Sequence, residues 1–273
     1  MTARNPKAPF IPEHDAGKPP VMECKDLGID FGGLTAVDDF NITVTPTEIA
    51  GLIGPNGAGK TTVFNLLTKV YKPTRGEIFL NGNNTKDLNT VRVNKAGIAR
   101  TFQNIRLFKE LTVLENVLVG LHNDMRYRLV GAVLRMPGYW REERVAKGKA
   151  LDLLSIFNLE DFAEKKAGSL SYGSQRKLEI VRALATNPVI LLLDEPAAGM
   201  NPSETSELME NIRKIRDTFQ IAILLIEHDM HLVMNICEGI AVLNYGRIIA
   251  KGTPEEIRND PQVIEAYLGK ERG

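Results

Sequence analysis

The chain has 273 residues, and its 34 lysines and arginines balance 34 aspartates and glutamates, so the formal net charge is zero. Hydrophobic residues make up 43% and charged residues 25%, which is typical of a globular protein and excludes a wholly disordered chain. The neutral balance also argues against a dedicated nucleic-acid-binding protein, which would present an excess of basic side chains to the phosphates.

Residues 1–20 hold five of the 14 prolines and show no hydrophobic period, so we expect a flexible tail ahead of the folded region. The N-terminal stretch lacks the apolar segment of a secretory signal. The longest aliphatic run, Ile221 to Ile226, is far shorter than the roughly 20 residues of a membrane helix, so we expect no membrane span. Two cysteines, Cys24 and Cys237, are expected to be reduced, buried thiols of a cytosolic protein.

From Val21 onward, short apolar runs alternate with helical stretches, which predicts an α/β fold. Continuous aliphatic runs predict strands that are covered on both faces, as in a parallel sheet, at residues 48–53, 189–193 and 221–226. Helices are predicted at 60–69 and 202–216, the second opened by Asn201-Pro202. Shorter strands are predicted at 43–44, 78–80, 240–243 and 248–250, and we expect many of them to form an antiparallel layer.

The middle of the chain shows amphipathic helical patterns in place of alternating strands and helices, which predicts a mostly helical subdomain. Amphipathic helices are predicted at 112–121 and 146–158. The stretch between them, 122–145, carries the only tryptophan, Trp140, and five arginines. We therefore expect a helical subdomain over about 104–185, with an insertion at 122–145, inside a domain spanning 21–268 that leaves 269–273 as a C-terminal end.

The strongest motif is a glycine-rich loop of the form G-x-x-x-x-G-K-[ST], between a predicted strand and a predicted helix. Glycines let the backbone wrap a phosphate closely, and the loop amides and helix N-terminus attract its charge. Lys60 is expected to reach the β- and γ-phosphates, and Thr61 to ligate Mg²⁺. The residues predicted to bind ATP here are Gly54, Pro55, Asn56, Gly57, Ala58, Gly59, Lys60, Thr61 and Thr62.

A second motif consists of four aliphatic residues followed by two acids, Asp194 and Glu195, at the end of a predicted strand. This is the Walker B arrangement that accompanies such a loop. Asp194 is expected to hold Mg²⁺ through its water shell, and Glu195 to act as general base for the attacking water.

Four further segments make the sequence resemble the ABC ATPase family. Leu170–Arg176 resembles the signature motif and lies 23 residues before Asp194, counted from Ser171. Gln103 matches the Q-loop, and His228, 34 residues after Asp194, matches the switch histidine. The D-loop position is occupied by Ala198–Asn201.

The resemblance covers about residues 21–268 and implies a P-loop NTPase of the ABC ATPase type. That fold has a parallel-sheet RecA-like core, an antiparallel β layer and an inserted helical subdomain. The resemblance also implies that Phe31 stacks on adenine, that Gln103 serves both catalysis and the metal, and that Ser171 and Gly173 contact the γ-phosphate. Tyr172, Ser174 and Asn201 differ from the residues that are usual at these positions in the family. These differences bear on the detailed properties of the site rather than on its existence.

Finer stretches, among them 97–108, 170–176 and 194–202, are similar to the larger ATP-binding subunit of branched-chain amino acid importers, the LivG type. This resemblance implies a peripheral subunit on the cytoplasmic face of the membrane that hydrolyses ATP with Mg²⁺. It also implies a nucleotide-sandwich dimer, with a second, shorter ATPase or with itself, that drives two membrane permease subunits. A substrate-binding protein takes part indirectly, and no nucleic acid is involved.

Other interpretations stay open at this point. A urea or short-amide importer would carry much the same motifs. A repair or translation ATPase is disfavoured, because the chain has one motif set and no heptads between Lys60 and Ser171. A nucleotide-binding protein without turnover is disfavoured by the presence of Glu195 and His228.

Single residues also have alternative interpretations. His228 and His231, three apart on a predicted helix, could suggest a metal pair, and Phe31 could be a core residue. The arginines of 122–145 could form a solvated face or an interface with the membrane subunits.

Overall fold

The computed structural model describes residues 18–122 and 137–268. The predicted tail therefore lies almost wholly outside the described residues, as do 269–273 and residues 123–136 of the predicted insertion. The side chains of Trp140 and Arg141 are also outside the description. The described residues form two compact units, one made by the chain up to Arg100 and from Val189 onward, the other by Thr101–Pro188. The domain bounds proposed from sequence, 21–268 and 104–185, stay predictions.

The first unit contains a six-stranded sheet with the strand order β10-β9-β3-β8-β7-β6. Its strands are β3 (Ile49–Ile53), β6 (Ile98–Arg100), β7 (Ile190–Asp194), β8 (Ala222–Ile226), β9 (Gly239–Asn244) and β10 (Arg247–Gly252). Strands β9, β3, β8, β7 and β6 run parallel, and β10 is antiparallel to β9. The three aliphatic runs of the sequence become β3, β7 and β8, each fully buried, which confirms the prediction of a parallel sheet.

A second, antiparallel sheet in the same unit has the order β2-β1-β4-β5. Its strands are β1 (Met22–Phe31), β2 (Leu34–Val44), β4 (Arg75–Leu80) and β5 (Asn83–Asn84). Only two of the four short predicted strands, 43–44 and 78–80, belong to this layer; 240–243 and 248–250 became β9 and β10 of the other sheet. Strand β1 was not predicted because its register shifts repeatedly against β2, and Asp26 has a positive φ, so its polar and apolar residues do not alternate cleanly.

Among the described residues, the helices of the first unit are α1 (Lys60–Leu67), α2 (Thr90–Lys95), α6 (Pro202–Phe219), α7 (Met230–Ile236), α8 (Pro254–Arg258) and α9 (Pro261–Leu268). Helices α1 and α6 confirm the two predicted helices of this part of the chain. One core cluster contains Phe40 of the antiparallel sheet, Phe64 of α1 and Leu224 of β8, so it joins both sheets through α1. Cys24 and Cys237 are buried free thiols, as predicted, and burial raises the pKa of Cys24 to about 12.

The second unit is helical and contains α3 (Val113–Leu121), α4 (Pro137–Ser155) and α5 (Tyr172–Leu184), with short 3₁₀ turns at Glu160–Phe162 and Ala167–Ser169. A capping box between Thr112 and Glu115 starts α3, which confirms the helix predicted there. Helix α4 begins nine residues earlier than predicted, so the last part of the predicted insertion is helix rather than a separate loop. In the part of the chain that the structure describes, no helix has the length and hydrophobicity needed to cross a membrane.

A buried acid immediately before β3 couples the stability of the first unit to pH. Glu48 is fully buried, and one carboxylate oxygen accepts hydrogen bonds from the Thr45 N–H at 2.8 Å and the Thr45 hydroxyl at 2.9 Å. Burial, reinforced by Glu238 and opposed by Thr45 and Lys251, raises the pKa of Glu48 from 4.5 to about 7. Since the folded state holds this proton more tightly than the unfolded state, Glu48 costs stability as pH rises between these two values.

We predict that Glu48→Gln removes this loss, because the amide resembles the protonated acid and cannot ionise. The free energy of unfolding of the variant relative to the parent should increase from pH 5 to pH 8, by an amount on the order of 3 kcal/mol. Urea unfolding at several pH values measures the difference, in which other titrating groups cancel. Parallel pH profiles for the two proteins would contradict the assignment.

Candidate active site

The chemistry-bearing residues of the first unit lie where three parallel strands end. In the register of the sheet, Leu52 of β3 pairs with Ile226 of β8, and Asp194 of β7 pairs with the same Ile226. The loops that follow these strands therefore leave the sheet at one edge. In open α/β sheets ligands bind outside this carboxyl edge, so the strand register alone brings Gly54, Asp194 and His228 to one side.

The glycine-rich loop after β3 touches neighbouring backbone so closely that two of its glycines admit no side chain. A Cβ atom on Gly54, whose φ is 153°, would lie 2.0 Å from the Leu243 carbonyl oxygen. A Cβ on Gly59, whose φ is 104°, would lie 2.8 Å from the Ala36 carbonyl oxygen. Gly57 also has a positive φ, but it faces open space. The loop is thus fixed at both ends and accessible in the middle.

Helix α1 begins at Lys60 with no side-chain cap on its first turn and no acid within that turn. Such a helix N-terminus presents backbone N–H groups and the positive end of the helix dipole, which favour an anion. The Lys60 side chain is buried, and its ammonium donates to the carbonyl oxygens of Gly54 at 2.6 Å and Pro55 at 3.1 Å. Thr61 is exposed and Thr62 is half-buried. The loop, the helix end and the lysine together provide the N–H groups and the positive charge that can bind an anion such as a phosphate.

Asp194 ends β7 as a buried carboxylate and is paired with an arginine to which the sequence analysis gave no role. The Arg100 guanidinium donates to Asp194 Oδ2 at 2.7 Å, and both side chains are about 5% exposed or less. Arg100 stands just before the Thr-Phe-Gln103 segment that matched the Q-loop. A signal was present in the sequence, because a charged residue at the end of a buried strand requires a buried partner.

Glu195 follows Asp194 with a positive φ of 48°, and its N–H donates to the Ile226 carbonyl at 2.9 Å. His228 follows β8, and its Nδ1 lies 3.9 Å from a Glu195 carboxylate oxygen. The His228 side chain is 64% exposed and that of Glu195 is 21% exposed, so solvent reaches this pair. The two residues predicted to be catalytic at this edge are therefore brought together.

The placement of His228 corrects one expectation. Helix α7 begins at Met230, so His228 lies in the preceding loop and does not share a helix with His231. Asp229 is engaged as the N-cap and accepts from the N–H groups of His231 at 2.8 Å and Leu232 at 3.3 Å. Within the described ranges, no group of three or more histidine, cysteine and acidic side chains is arranged to hold a metal ion.

Glu227, to which no role was assigned from sequence, connects the residue just before the D-loop to His228. It is buried, and its two oxygens accept from the N–H groups of Ala197 at 2.8 Å and His228 at 3.2 Å. Burial raises the pKa of Glu227. Its position between two predicted functional segments makes it a support for both.

The D-loop departure at Asn201 has a simple structural consequence. Asn201 caps α6: its side chain accepts from the Glu204 N–H at 3.0 Å, and the Glu204 carboxylate accepts from the Asn201 N–H at 2.9 Å. Asparagine and aspartate cap helices about equally well. The helix start is therefore preserved without the usual aspartate.

In the second unit, the signature segment opens α5. Ser171 is its exposed N-cap, and Gly173 is buried in the first turn. Arg176 donates to the Phe102 carbonyl at 2.7 Å, to the Gln103 carbonyl, and to the Tyr172 hydroxyl at 3.1 Å. Tyr172, the unusual signature residue, thus helps to hold the arginine that fixes the backbone at Gln103.

Phe31, predicted to stack on adenine, ends β1 with 44% of its surface exposed. Its ring meets Tyr71 edge-on, with a centroid distance of 5.3 Å. The alternative that Phe31 is a core residue is therefore wrong, and its adenine contact stays a prediction.

The ABC transporter family model matches residues 37–198, more than half of the chain. The chain belongs to the ABC transporter ATP-binding family. A second model, described as branched-chain amino acid ATP-binding cassette transporter, matches residues 247–272. The family makes the chain a nucleotide-binding ATPase of the P-loop α/β fold, as predicted.

Three individual proteins illustrate the similarity. The high-affinity branched-chain amino acid transport ATP-binding protein BraF of Pseudomonas aeruginosa is 48% identical, over 92% of this chain and 98% of that protein. The high-affinity branched-chain amino acid transport ATP-binding protein LivG of Escherichia coli is 49% identical, again over 92% of this chain and 98% of that protein. The crystal structure of an ABC transporter cassette in its ADP conformation is 30% identical with a TM-score of 0.80, covering 92% of this chain and all of that one.

Substitutions at Gly54 and Gly57 of the glycine-rich loop can separate the effect of a steric clash from the effect of a positive φ. Gly54→Ala should destabilise the protein by on the order of 3 kcal/mol and abolish ATP binding, because its Cβ meets a backbone carbonyl. The matched control, Gly57→Ala, adds a methyl in open space and should cost only about 1–2 kcal/mol for its positive φ. Denaturant unfolding and binding of a fluorescent ATP analogue measure both effects. Equal losses in the two variants would contradict the described packing of the loop.

Proposed function

We propose that this ATPase powers an importer of branched-chain amino acids. The observation that carries the proposal is the identity of 48–49%, over 92% of the chain, to proteins described as high-affinity branched-chain amino acid transport ATP-binding proteins. The match of the C-terminal residues 247–272 to a model of that transporter class supports it independently of the nucleotide motifs. The amino acid itself does not contact this subunit, so the substrate is assigned through its relatives.

At the sheet edge, each residue has a role that follows from its position. The Lys60 ammonium, held by the carbonyls of Gly54 and Pro55, exchanges these neutral partners for the β- and γ-phosphates of ATP, a stronger charge-assisted contact. Glu195 accepts the proton of the attacking water. His228, 3.9 Å from the Glu195 carboxylate, orients that carboxylate and the terminal phosphate. Phe31 offers an exposed ring to the adenine.

The donor set also fits magnesium. The hydroxyl of the exposed Thr61 is a hard oxygen ligand, and the Asp194 carboxylate can accept hydrogen bonds from the water shell of Mg²⁺. Mg²⁺ bound with a nucleotide needs only one or two protein oxygens beside phosphates and water. When bound, Mg²⁺ neutralises charge on the phosphate oxygens during transfer. Gln103, whose backbone Arg176 holds, is the third residue proposed to serve the metal.

ABC ATPase cassettes work as dimers with membrane permease partners. For this chain we propose a sandwich in which each nucleotide lies between the loop of one subunit and Ser171 and Gly173 of the other. The partner is a second, shorter ATPase or a second copy. The dimer acts at the cytoplasmic face of the membrane on two permease subunits, with a substrate-binding protein delivering the amino acid.

Uptake in cells tests the proposal. In a strain lacking the gene, the parent chain should restore uptake of labelled leucine but not of labelled urea. Lys60→Ala should fail to restore it, because the contact of the ammonium with the phosphates is lost. Lys72→Ala, which removes an exposed lysine, is the matched control and should behave like the parent. Restoration of urea uptake without leucine uptake would replace the substrate assignment by the urea or amide alternative.

A further inference from the structure

A buried arginine stands beside the Walker B aspartate. Arg100 is the last residue of β6, which runs parallel to β7 with Arg100 in register with Leu192. From there its guanidinium donates to Asp194 Oδ2 at 2.7 Å. The side-chain exposures are 5% for Arg100 and 4% for Asp194, so water does little to screen the pair.

The guanidinium is also held from the side of helix α1. It donates to the Asn65 side-chain oxygen at 2.7 Å and lies over the Phe64 ring, 5.4 Å from its centroid. Asn65 and Phe64 both belong to α1, the helix that begins at Lys60. Arg100 is therefore fixed between the helix that follows the loop and the strand that ends in Asp194, and its charge cannot move away without breaking contacts on both elements.

This arrangement has a consequence for metal binding. A buried carboxylate without a counter-charge is strongly unfavourable, and an arginine remains protonated at any physiological pH. A fixed positive charge 2.7 Å from Asp194 satisfies the carboxylate when no metal is present. The same charge repels a second cation at close range, and this repulsion is large in a buried site.

We propose that Arg100 is a positioning residue and a resident counter-ion of Asp194, which holds the carboxylate in place and makes divalent-metal binding there depend on bound nucleotide. The proposal rests on the role of Asp194 toward Mg²⁺ given above. Without nucleotide, Arg100 balances Asp194 and the site attracts metal weakly. Nucleotide phosphates add the negative charge that allows a divalent cation to bind beside the arginine.

Electron paramagnetic resonance of Mn²⁺ tests the proposal, since free Mn²⁺ is read directly without any catalytic turnover. The parent, Arg100→Met and Arg100→Lys are titrated with Mn²⁺ alone and then with Mn²⁺ and ADP. Arg100→Met should bind Mn²⁺ without nucleotide about tenfold more tightly than the parent, or more. Arg100→Lys, which keeps the charge, should stay close to the parent. Arg92→Met, which removes an exposed arginine of α2, is the matched control and should not change.

A double variant assigns the effect to Asp194. In Arg100→Met/Asp194→Asn, the added affinity for Mn²⁺ alone should disappear. Unchanged or weaker Mn²⁺ affinity in Arg100→Met, or added affinity that survives in the double variant, would overturn the proposal. If the parent fails to bind Mn²⁺ with ADP, the proposed metal role of Asp194 fails, whereas the nucleotide-free titrations still report on Arg100.

Stability supplies a second readout if Arg100→Met folds poorly. Removing Arg100 takes away the counter-charge of the buried Asp194 carboxylate, so the added Asp194→Asn exchange should restore stability to the Arg100→Met protein. The urea midpoint of the double variant should exceed that of Arg100→Met. A double variant no more stable than Arg100→Met would show that Arg100 does not serve as the counter-ion of Asp194.

Discussion

The parallel register of β3, β8 and β7 is the constraint on which the rest of the site depends. Because Ile226 pairs with Leu52 on one side and with Asp194 on the other, the three strands end at the same level. These strands are aliphatic on both faces except for Asp194 at the end of β7, and a shift of register that moved this charged residue further into the core would be unfavourable. The phosphate loop, the two acids and the switch histidine then need only short loops to meet.

The same edge concentrates buried charge, and two buried acids there have their own partners. Asp194 has Arg100, and Glu227 has the N–H groups of Ala197 and His228. These partners fix the positions of the carboxylates before any ligand binds. Preorganised charges of this kind are what phosphoryl transfer requires, because its chemistry consists mainly of positioning and electrostatic stabilisation.

Much of this site could be predicted from sequence because its motifs are local. The glycine-rich loop, the two acids after β7 and the buried strands themselves are each specified within a few consecutive residues. Three features could not be predicted in this way. Arg100, Glu227 and Arg176 act through partners 94, 30 and 73 residues away along the chain, and no local pattern shows which distant residue is the partner. Strand β1 was missed because its bulges break the alternation on which strand prediction depends.

We expect the residues at this sheet edge to separate nucleotide binding from hydrolysis, with Lys60 serving the first and Glu195 the second. The most direct test is to measure equilibrium ATP binding and steady-state hydrolysis on the same preparation of Glu195→Gln, with His231→Ala as a control for a nearby exposed residue. We expect ATP affinity within about threefold of the parent and hydrolysis lower by at least about 100-fold, because the amide keeps the shape but accepts no proton. Hydrolysis by Glu195→Gln at close to the parent rate would show that Glu195 is not the general base.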